Sequence, residues 1–303
     1  MEKITVLMST YNGEKYLKEQ LDSILAQEDV NINLIIRDDG SSDKTLEILT
    51  EYSKKHTNIT YYCGENLKPA KSFLELMTKE FDSEYYALAD QDDIWDSDKL
   101  KCGIDKLKTL DNTKPNLYFS NLRIVNQDNV FFQNAHKKQI IPNKYVALAT
   151  PIVTGCTIIY NKKAKEILKD HIPTSNLMHD SWLYLICIFF GQVIYDFIPH
   201  INYRQHENNV IGMAIKKNKL CFFLDKIKEI SHDNNEPRYN NAIAFLESFK
   251  LQLQQKDIQY ISLITNYKQS FKNKLLLIFN RKIKINSLLG DFKFRLKIIL
   301  ENI

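Results

Sequence analysis

Apolar and polar positions alternate in blocks along the first third of the chain. Ile4-Thr5-Val6-Leu7-Met8 is a short, almost uninterrupted apolar run, and residues 32–36, 59–63 and 85–89 repeat the pattern. Each run has the length of a strand and the composition of one buried on both faces. Between the first two runs, residues 14–27 place Tyr16, Leu17, Leu21, Ile24 and Leu25 at helical spacing. Residues 43–52, 70–81 and 97–110 read as further helices, the first of these with Ser41, Ser42 or Asp43 available as its N-cap. Such alternation predicts an α/β fold with a mainly parallel sheet and right-handed crossovers. The loops after successive strands then share the carboxyl edge, where ligands bind in such sheets. Downstream the pattern is mixed: 117–125 and 155–160 read as strands, 180–190 as a buried helix, 193–198 and 201–204 as extended. Beyond about residue 212 only helical periods remain, at 219–230, 239–255 and from 260 onward. The expected organisation is a sheet domain over 1–212 and a helical C-terminal region over 213–303.

Composition narrows the function classes. The chain has 303 residues, 44% apolar and 26% charged, with a formal net charge of +4. That excess is too small to point to nucleic acid, and no nucleic-acid-binding pattern accompanies it. No glycine-rich phosphate loop occurs, so a nucleotide would have to be held by other means. The five cysteines form no CxxC pair and read as reduced thiols. The start of the chain carries no signal peptide, and the most apolar stretch, 182–190, is too short to span a bilayer. A cytoplasmic location is expected, without excluding the inner face of the cell membrane.

The candidate chemistry lies where the predicted strands end. Ser9-Thr10-Tyr11-Asn12-Gly13 follows the first strand, Asp38-Asp39-Gly40-Ser41-Ser42-Asp43 the second, and Asp90-Gln91-Asp92-Asp93 the fourth. A parallel sheet brings these three loops to one edge. Three carboxylates in four residues repel one another, and a hard divalent cation such as Mg2+ or Mn2+ is the usual counter-ion. Thr10 and Tyr11 are placed to contact or stack on a base, Asp38 or Asp39 to accept from a base N–H, Asp90 to hold ribose hydroxyls, and Asp92 to reach a diphosphate-bridging metal. Asn12 and Gln91 belong to the same expected binding set.

The three motifs, in this order and spacing, resemble family 2 glycosyltransferases of the GT-A fold over roughly residues 3–212. The resemblance implies nucleotide contacts at Thr10, Tyr11, Asp39 and Asp90, a metal carboxylate at Asp92, and a metal-assisting or donor-orienting role for Asp93. Met178-His179-Asp180-Ser181-Trp182 and the polar stretch from Tyr203 to Gly212 are similar to the bacterial rhamnosyltransferase branch. Asp180 then matches the catalytic base of an inverting transfer. His206 is implied as metal ligand or diphosphate donor, Arg204 as diphosphate partner, Lys71 or Lys68 as a phosphate contact, and Trp182 as a sugar-stacking ring. Family members often carry a small residue where Lys68 stands. The expected reaction moves a sugar, foremost L-rhamnose from dTDP-L-rhamnose, onto a saccharide or lipid-linked oligosaccharide in capsule, O-antigen or cell-wall synthesis. UDP-galactose, UDP-glucose and UDP-N-acetylhexosamine are the alternative donors.

Two other classes compete. A phosphohydrolase or nucleotidyltransferase would need a nucleophilic Asp or a glycine-rich turn after the first strand, where Ser9-Thr10-Tyr11 stands. A non-catalytic sugar-nucleotide or membrane scaffold would not need the full carboxylate set. Finally, residues 268–303 carry nine Lys or Arg against Asp291 and Glu301, interleaved with Phe, Leu and Ile. Basic amphipathic helices of this kind bind anionic membrane surfaces or pair in a homodimer.

Overall fold

The structure is a computed structural model describing residues 1–150, 152–173, 177–205, 237–285, 288–301 and 303. Strands β1 (Glu2–Thr10), β2 (Val30–Asp38), β3 (Ile59–Cys63) and β4 (Tyr85–Ala89) alternate with helices α1 (Leu17–Leu25), α2 (Thr45–Lys55) and α3 (Lys68–Thr78). A two-residue strand β5 (Ile94–Trp95) leads into α4 (Lys99–Leu107). Then come β6 (Asn116–Val125), β7 (Phe131–Asn134), α5 (Lys144–Ala147), β8 (Ile158–Asn161), α6 (Lys162–Asp170), α7 (His179–Phe190) and β9 (Gln192–Arg204).

All but β7 form one path in the order β3-β2-β1-β4-β8-β6-β9-β5, with β7 beside β6. The half built from β1 to β4 is parallel, as the alternating pattern predicts. The other half is mixed. β8 enters antiparallel between β4 and β6, while β6 and β9 run parallel to each other. The result is a mixed sheet flanked by helices. The two extended segments expected at 193–198 and 201–204 are one strand. Its register against β6 slips near Ser120 and Asn121, and this break hides the continuity in sequence. Helix α6 and the hairpin strand β7 are absent from the expectations. α6 carries Lys or Asp at Lys162, Lys163, Lys165, Lys169 and Asp170, so its apolar face reduces to a few residues around Ala164 and Leu168. β7 is exposed and lacks a buried face to produce alternation.

Register fixes the functional edge. Thr10 pairs with Asp38 and Asp38 with Cys63, so the first three strands end level. Met8 pairs with Ala89, which puts Asp90 one step past the end of β4, beside the end of β1. The core beneath this edge packs Ile4, Val6, Met8, Leu34, Ile36 and Ala87 of the sheet against Leu17, Leu21, Ile24 and Leu49 of the helices.

The described chain divides into two compact units. One comprises Met1–Pro142, Val153–Ile172 and Met178–Asn209; the other comprises Asn143–Ile152, Pro173–Leu177 and Val210–Ile303. The second unit contains α5 and four further helices, α8 (Pro237–Phe249), α9 (Gln255–Thr265), α10 (Phe271–Ile278) and α11 (Leu288–Ile299). It has its own buried residues, among them Phe245, Phe249, Ile261, Ile264 and Tyr267. Within it Lys144 and Asp257 pair at 2.5 Å, and the Tyr260 hydroxyl donates to the Tyr145 carbonyl. The expected helix at 219–230 lies outside the described residues. Among those residues no helix is long and apolar enough to cross a membrane.

The turn from α7 into β9 depends on one glycine. Gly191 N–H donates to the Cys187 carbonyl, and a Cβ at Gly191 would lie 1.7 Å from the Pro115 carbonyl oxygen. Because that neighbour is backbone leading into β6, no side-chain rotation relieves the clash. Gly191→Ala is expected to destabilise the protein by about 3 kcal/mol or more, read as a lowered urea midpoint.

Candidate active site

The β1 and β2 loops are built as one piece. Asn12 adopts φ +48°, a left-handed conformation that Asn tolerates better than most residues. Its N–H donates to Ser41 Oγ at 2.9 Å, and its side-chain carbonyl accepts from Ser42 N–H at 2.9 Å. Gly13 N–H donates to Thr45 Oγ1, and Glu14 N–H to Asp43. Gln91 of the acidic loop then clamps the same segment. Its Oε1 accepts from Tyr11 N–H at 2.9 Å and its Nε2 donates to the Tyr11 carbonyl at 3.0 Å. Gly13 makes room for this clamp, since a Cβ there would lie 2.4 Å from Gln91 Oε1. Thus the three loops predicted to converge do converge. Tyr11 remains 47% exposed on their outer face.

The two aspartates after β2 are buried and differently engaged. Asp38 Oδ1 accepts from the N–H groups of Gly40 and Ser41, and Oδ2 accepts from Thr10 Oγ1 and Ser41 Oγ. Those four bonds fill the acceptor capacity of a carboxylate. Asp38, fully buried, therefore shapes the loop, and its expected contact with a base is corrected. Thr10 is likewise buried, with its hydroxyl turned to Asp38. Asp39 accepts from Arg37, from Leu67 N–H at 3.0 Å and from Lys68 N–H at 2.9 Å. One acceptor position on Oδ2 stays open, so of the pair only Asp39 retains capacity for a ligand. Lys68, at φ +68°, adopts a left-handed backbone conformation that favours glycine. Lys71 is exposed on the first turn of α3, beside Ser72, whose hydroxyl meets that of Ser9 at 2.6 Å.

The acidic loop concentrates charge. Ligand atoms of Asp90, Asp93 and Cys156 all lie within 4.8 Å of one another. Burial pushes the Asp90 carboxyl up, and the charges of Asp92 and Asp180 push it further. Asp93 is fully buried; burial and its neighbours Asp92 and Asp90 hold it well above the usual carboxylate range. It accepts from Arg204 N–H at 3.2 Å, while its second oxygen, buried, has no hydrogen-bond partner. An orphaned carboxylate oxygen among mutually repelling acids is the donor set that a hard divalent cation fits. Asp92, half-buried, belongs to the same group. Lys99 lies buried nearby with its ammonium 3.6 Å from the Trp95 ring; burial lowers its pKa to about 8.

Asp180 sits in the first turn of α7, 7% exposed, its carboxylate accepting from Ser181 N–H at 2.6 Å. Gly155, just before β8, allows this approach: a Cβ there would lie 3.1 Å from His179 Nε2 and 3.9 Å from Asp180 Oδ2. Gly155 neighbours Asp180 and the next residue, Cys156, neighbours Asp90 and Asp93, so the loop after β4 and the start of α7 bring their carboxylates to one region. Gly155, Cys156 and Lys99 have no signal in the sequence expectations, because each contributes through spatial neighbours remote along the chain.

Two expected binding residues are structural. Arg204 is 2% exposed. Its Nε donates to the Asp92 carbonyl at 2.9 Å, Nη1 to the Gln127 carbonyl and Nη2 to Glu19 at 2.5 Å. The guanidinium also lies over the Tyr16 ring at 4.5 Å. It anchors the acidic loop from beneath and is not free to neutralise phosphates. Trp182 is fully buried, its indole N–H donating to the His171 carbonyl at 2.8 Å, so it packs the core and offers no face to a sugar. His206 lies outside the described residues.

Together, the α/β sheet, the joined loops and the acidic crevice define the sugar-nucleotide transferase class. Residues 5–168 match the family described as Glycosyl transferase family 2. The chain is 31% identical over 263 residues to the dTDP-rhamnosyl transferase RfbG of Shigella flexneri, covering 78% of this chain and 84% of that protein. It is 26% identical over 219 residues to the uncharacterized glycosyltransferase RT0329 of Rickettsia typhi, covering 71% and 67%. Among solved structures, TarS 1–349 of S. aureus in complex with UDP-GlcNAc shares the fold, with TM-score 0.55 and 16% identity over 98% of this chain and 90% of that one. The chain belongs to glycosyltransferase family 2 and is a glycosyltransferase similar to a rhamnosyl transferase.

The Arg204 anchor generates a prediction. Arg204→Lys keeps the charge but loses the planar fork that reaches two carbonyls and Glu19. The variant is expected to lose about 2–4 kcal/mol of stability, measured by urea denaturation. A midpoint equal to wild type would show that the fork does not hold the loop.

Proposed function

We propose that the protein is a metal-dependent, inverting transferase that moves L-rhamnose from dTDP-L-rhamnose onto a saccharide hydroxyl. The observation carrying this reading is the placement of Gly155 beside Asp180 and of Cys156 beside Asp90 and Asp93: a base close to the acidic group that would hold the diphosphate. Similarity to a dTDP-rhamnosyl transferase over most of both chains supports the donor.

In this reading Tyr11 and Asp39 receive the base and Asp90 the ribose, while Thr10, Asn12 and Gln91 hold the loops around the nucleotide. Asp92, with Asp93 beside it, would hold the divalent cation, which when bound neutralises the leaving diphosphate. Lys71 reaches toward the same phosphates from α3. Asp180 takes the proton from the acceptor hydroxyl as that oxygen attacks the anomeric carbon from the face opposite the diphosphate. The bond from the anomeric carbon to the diphosphate oxygen breaks, the nucleotide leaves with the bonding electrons, and the configuration inverts.

The acceptor is proposed to be a saccharide, free or lipid-linked, of a bacterial surface polysaccharide, met at the cytoplasmic face of the membrane. The second unit supports a membrane role. Phe271 and Phe279 of α10 and its C-cap are 76% and 73% exposed, beside the exposed cations Lys272, Arg281 and Lys282. Exposed rings next to cations match an anionic lipid surface.

A panel of dTDP-L-rhamnose, UDP-galactose, UDP-glucose and UDP-N-acetylhexosamine, assayed for donor binding and hydrolysis, tests the reading. Only the rhamnose donor is expected to turn over, and only with Mn2+ or Mg2+ present. Asp92→Ala should lose metal-dependent donor binding. Asp180→Asn should bind the donor as wild type does but transfer at least about 1,000-fold more slowly. Turnover retained by Asp180→Asn would remove it as the base. Separately, a Phe271→Ser/Phe279→Ser variant is expected to bind anionic liposomes at least about tenfold more weakly, and equal co-sedimentation would refute the membrane role.

A further inference from the structure

Apart from the acidic loop, α4 and β9 bring a second set of ligating side chains together. Asp98 stands at the N-cap position of α4 without a side-chain capping bond, and Cys102 lies one turn later on the same face, with Cys102 Sγ 3.4 Å from Asp98 Oδ2. From β9, His200 Nδ1 lies 3.0 Å from Asp98 Oδ1. The ligand atoms of the three residues fall within 4.8 Å of one another. His200 is 6% exposed, and its Nε2 is buried without a hydrogen-bond partner, facing Asp196 Oδ2 at 3.8 Å. Asp196 is fixed by the Tyr118 hydroxyl at 3.3 Å and lies 3.5 Å from the Lys106 ammonium. The Asp98 side chain keeps 51% of its surface, so the cluster has an open side.

We propose that Asp98, Cys102 and His200 form a divalent-metal site of the zinc type, with Asp196 orienting the histidine and water filling the fourth position. A thiolate, an imidazole and one carboxylate suit a borderline-soft cation, in contrast to the all-oxygen preference of Mg2+. Bonds of about 2.0–2.3 Å in tetrahedral geometry place ligand atoms roughly 3.3–3.8 Å apart. The observed 3.0 and 3.4 Å run to the two different Asp98 oxygens, and with one ligand atom per residue the three atoms, all within 4.8 Å of one another, close to that range with shifts of about 1 Å. The orphaned Nε2 supplies the independent reason. A metal on Nδ1 leaves the ring proton on Nε2, aimed at Asp196, which is the carboxylate–histidine–metal arrangement. Metal uptake releases the Cys102 thiol proton to solvent and forms the metal–sulfur bond in its place. The site would staple the start of α4 to β9, four residues before the Arg204 anchor.

Metal-stripped full-length protein titrated with Zn2+ and with Co2+ tests this directly. We expect about one tight equivalent of Zn2+ and a thiolate-to-Co2+ charge-transfer absorption in the near ultraviolet. Cys102→Ser should abolish that absorption, whereas Cys156→Ser, altering the thiol beside the acidic loop, should keep it. Asp98→Asn, at a half-exposed position that folding tolerates, and Asp196→Asn should each weaken Zn2+ about 10–100-fold. No absorption in wild type, or one that survives Cys102→Ser and vanishes in Cys156→Ser, would overturn the site. An imidazolium bridging the two aspartates without metal predicts the first of those outcomes.

Discussion

The acidic loop exists in its folded form because Arg204 holds it there. Carboxylates within 4.8 Å of one another repel by about 3 kcal/mol per ionised pair at an effective dielectric near 20. A loop of four residues containing three of them would splay into solvent unless its backbone were fixed. Arg204 fixes it through the Asp92 carbonyl and the Asp93 carboxylate, and reaches Gln127 after β6 and Glu19 on α1 in the same step. One buried guanidinium thus links β9, β6 and α1 to the loop after β4. Burial first, and then the remaining repulsion, raise the Asp90 and Asp93 carboxyls. In the proposed function, this group receives a cation and, through it, a diphosphate.

This division of labour explains what was legible in the chain. The β1–β4 half was readable because each strand is a compact apolar run and each helix keeps a 3.6 period, so local pattern and tertiary role agree. The convergence of three loops followed from parallel topology alone. Roles within the loops were less readable. Asp38 and Asp39 are adjacent and chemically identical, yet one has four internal donors and the other three. Nothing in the sequence distinguishes them, since the donors come from Thr10, Ser41 and the loop before α3.

The corrections at Arg204 and Trp182 have a common cause. Each sits in a motif rich in functional residue types, and residue type was taken as the guide. Burial with internal partners decided otherwise: the Arg204 guanidinium is engaged with the Asp92 and Gln127 carbonyls and Glu19, and the Trp182 N–H with the His171 carbonyl. Their neighbours show the contrast. Ser181 N–H and the approach allowed by Gly155 place Asp180 at the crevice, while Trp182, two residues along the helix, points to the opposite side. Half a turn of helix separates a candidate base from a core residue, and only the 100° step per residue sets which is which.

The mixed half of the sheet is where sequence pattern and structure part most, and it also supplies the parts that complete the site. β8 runs against its neighbours and delivers Gly155 and Cys156 to the acidic loop from the opposite direction along the sheet. β9 slips register against β6 and continues to Arg204. A purely parallel continuation would have ended every strand with its own loop at the edge. The antiparallel insertion instead brings the segment before β8 to the start of α7, where Gly155 leaves room for His179 next to Asp180. The parallel half therefore builds the wall proposed to receive the nucleotide, and the irregular half brings Gly155 and Cys156 between the acidic loop and Asp180.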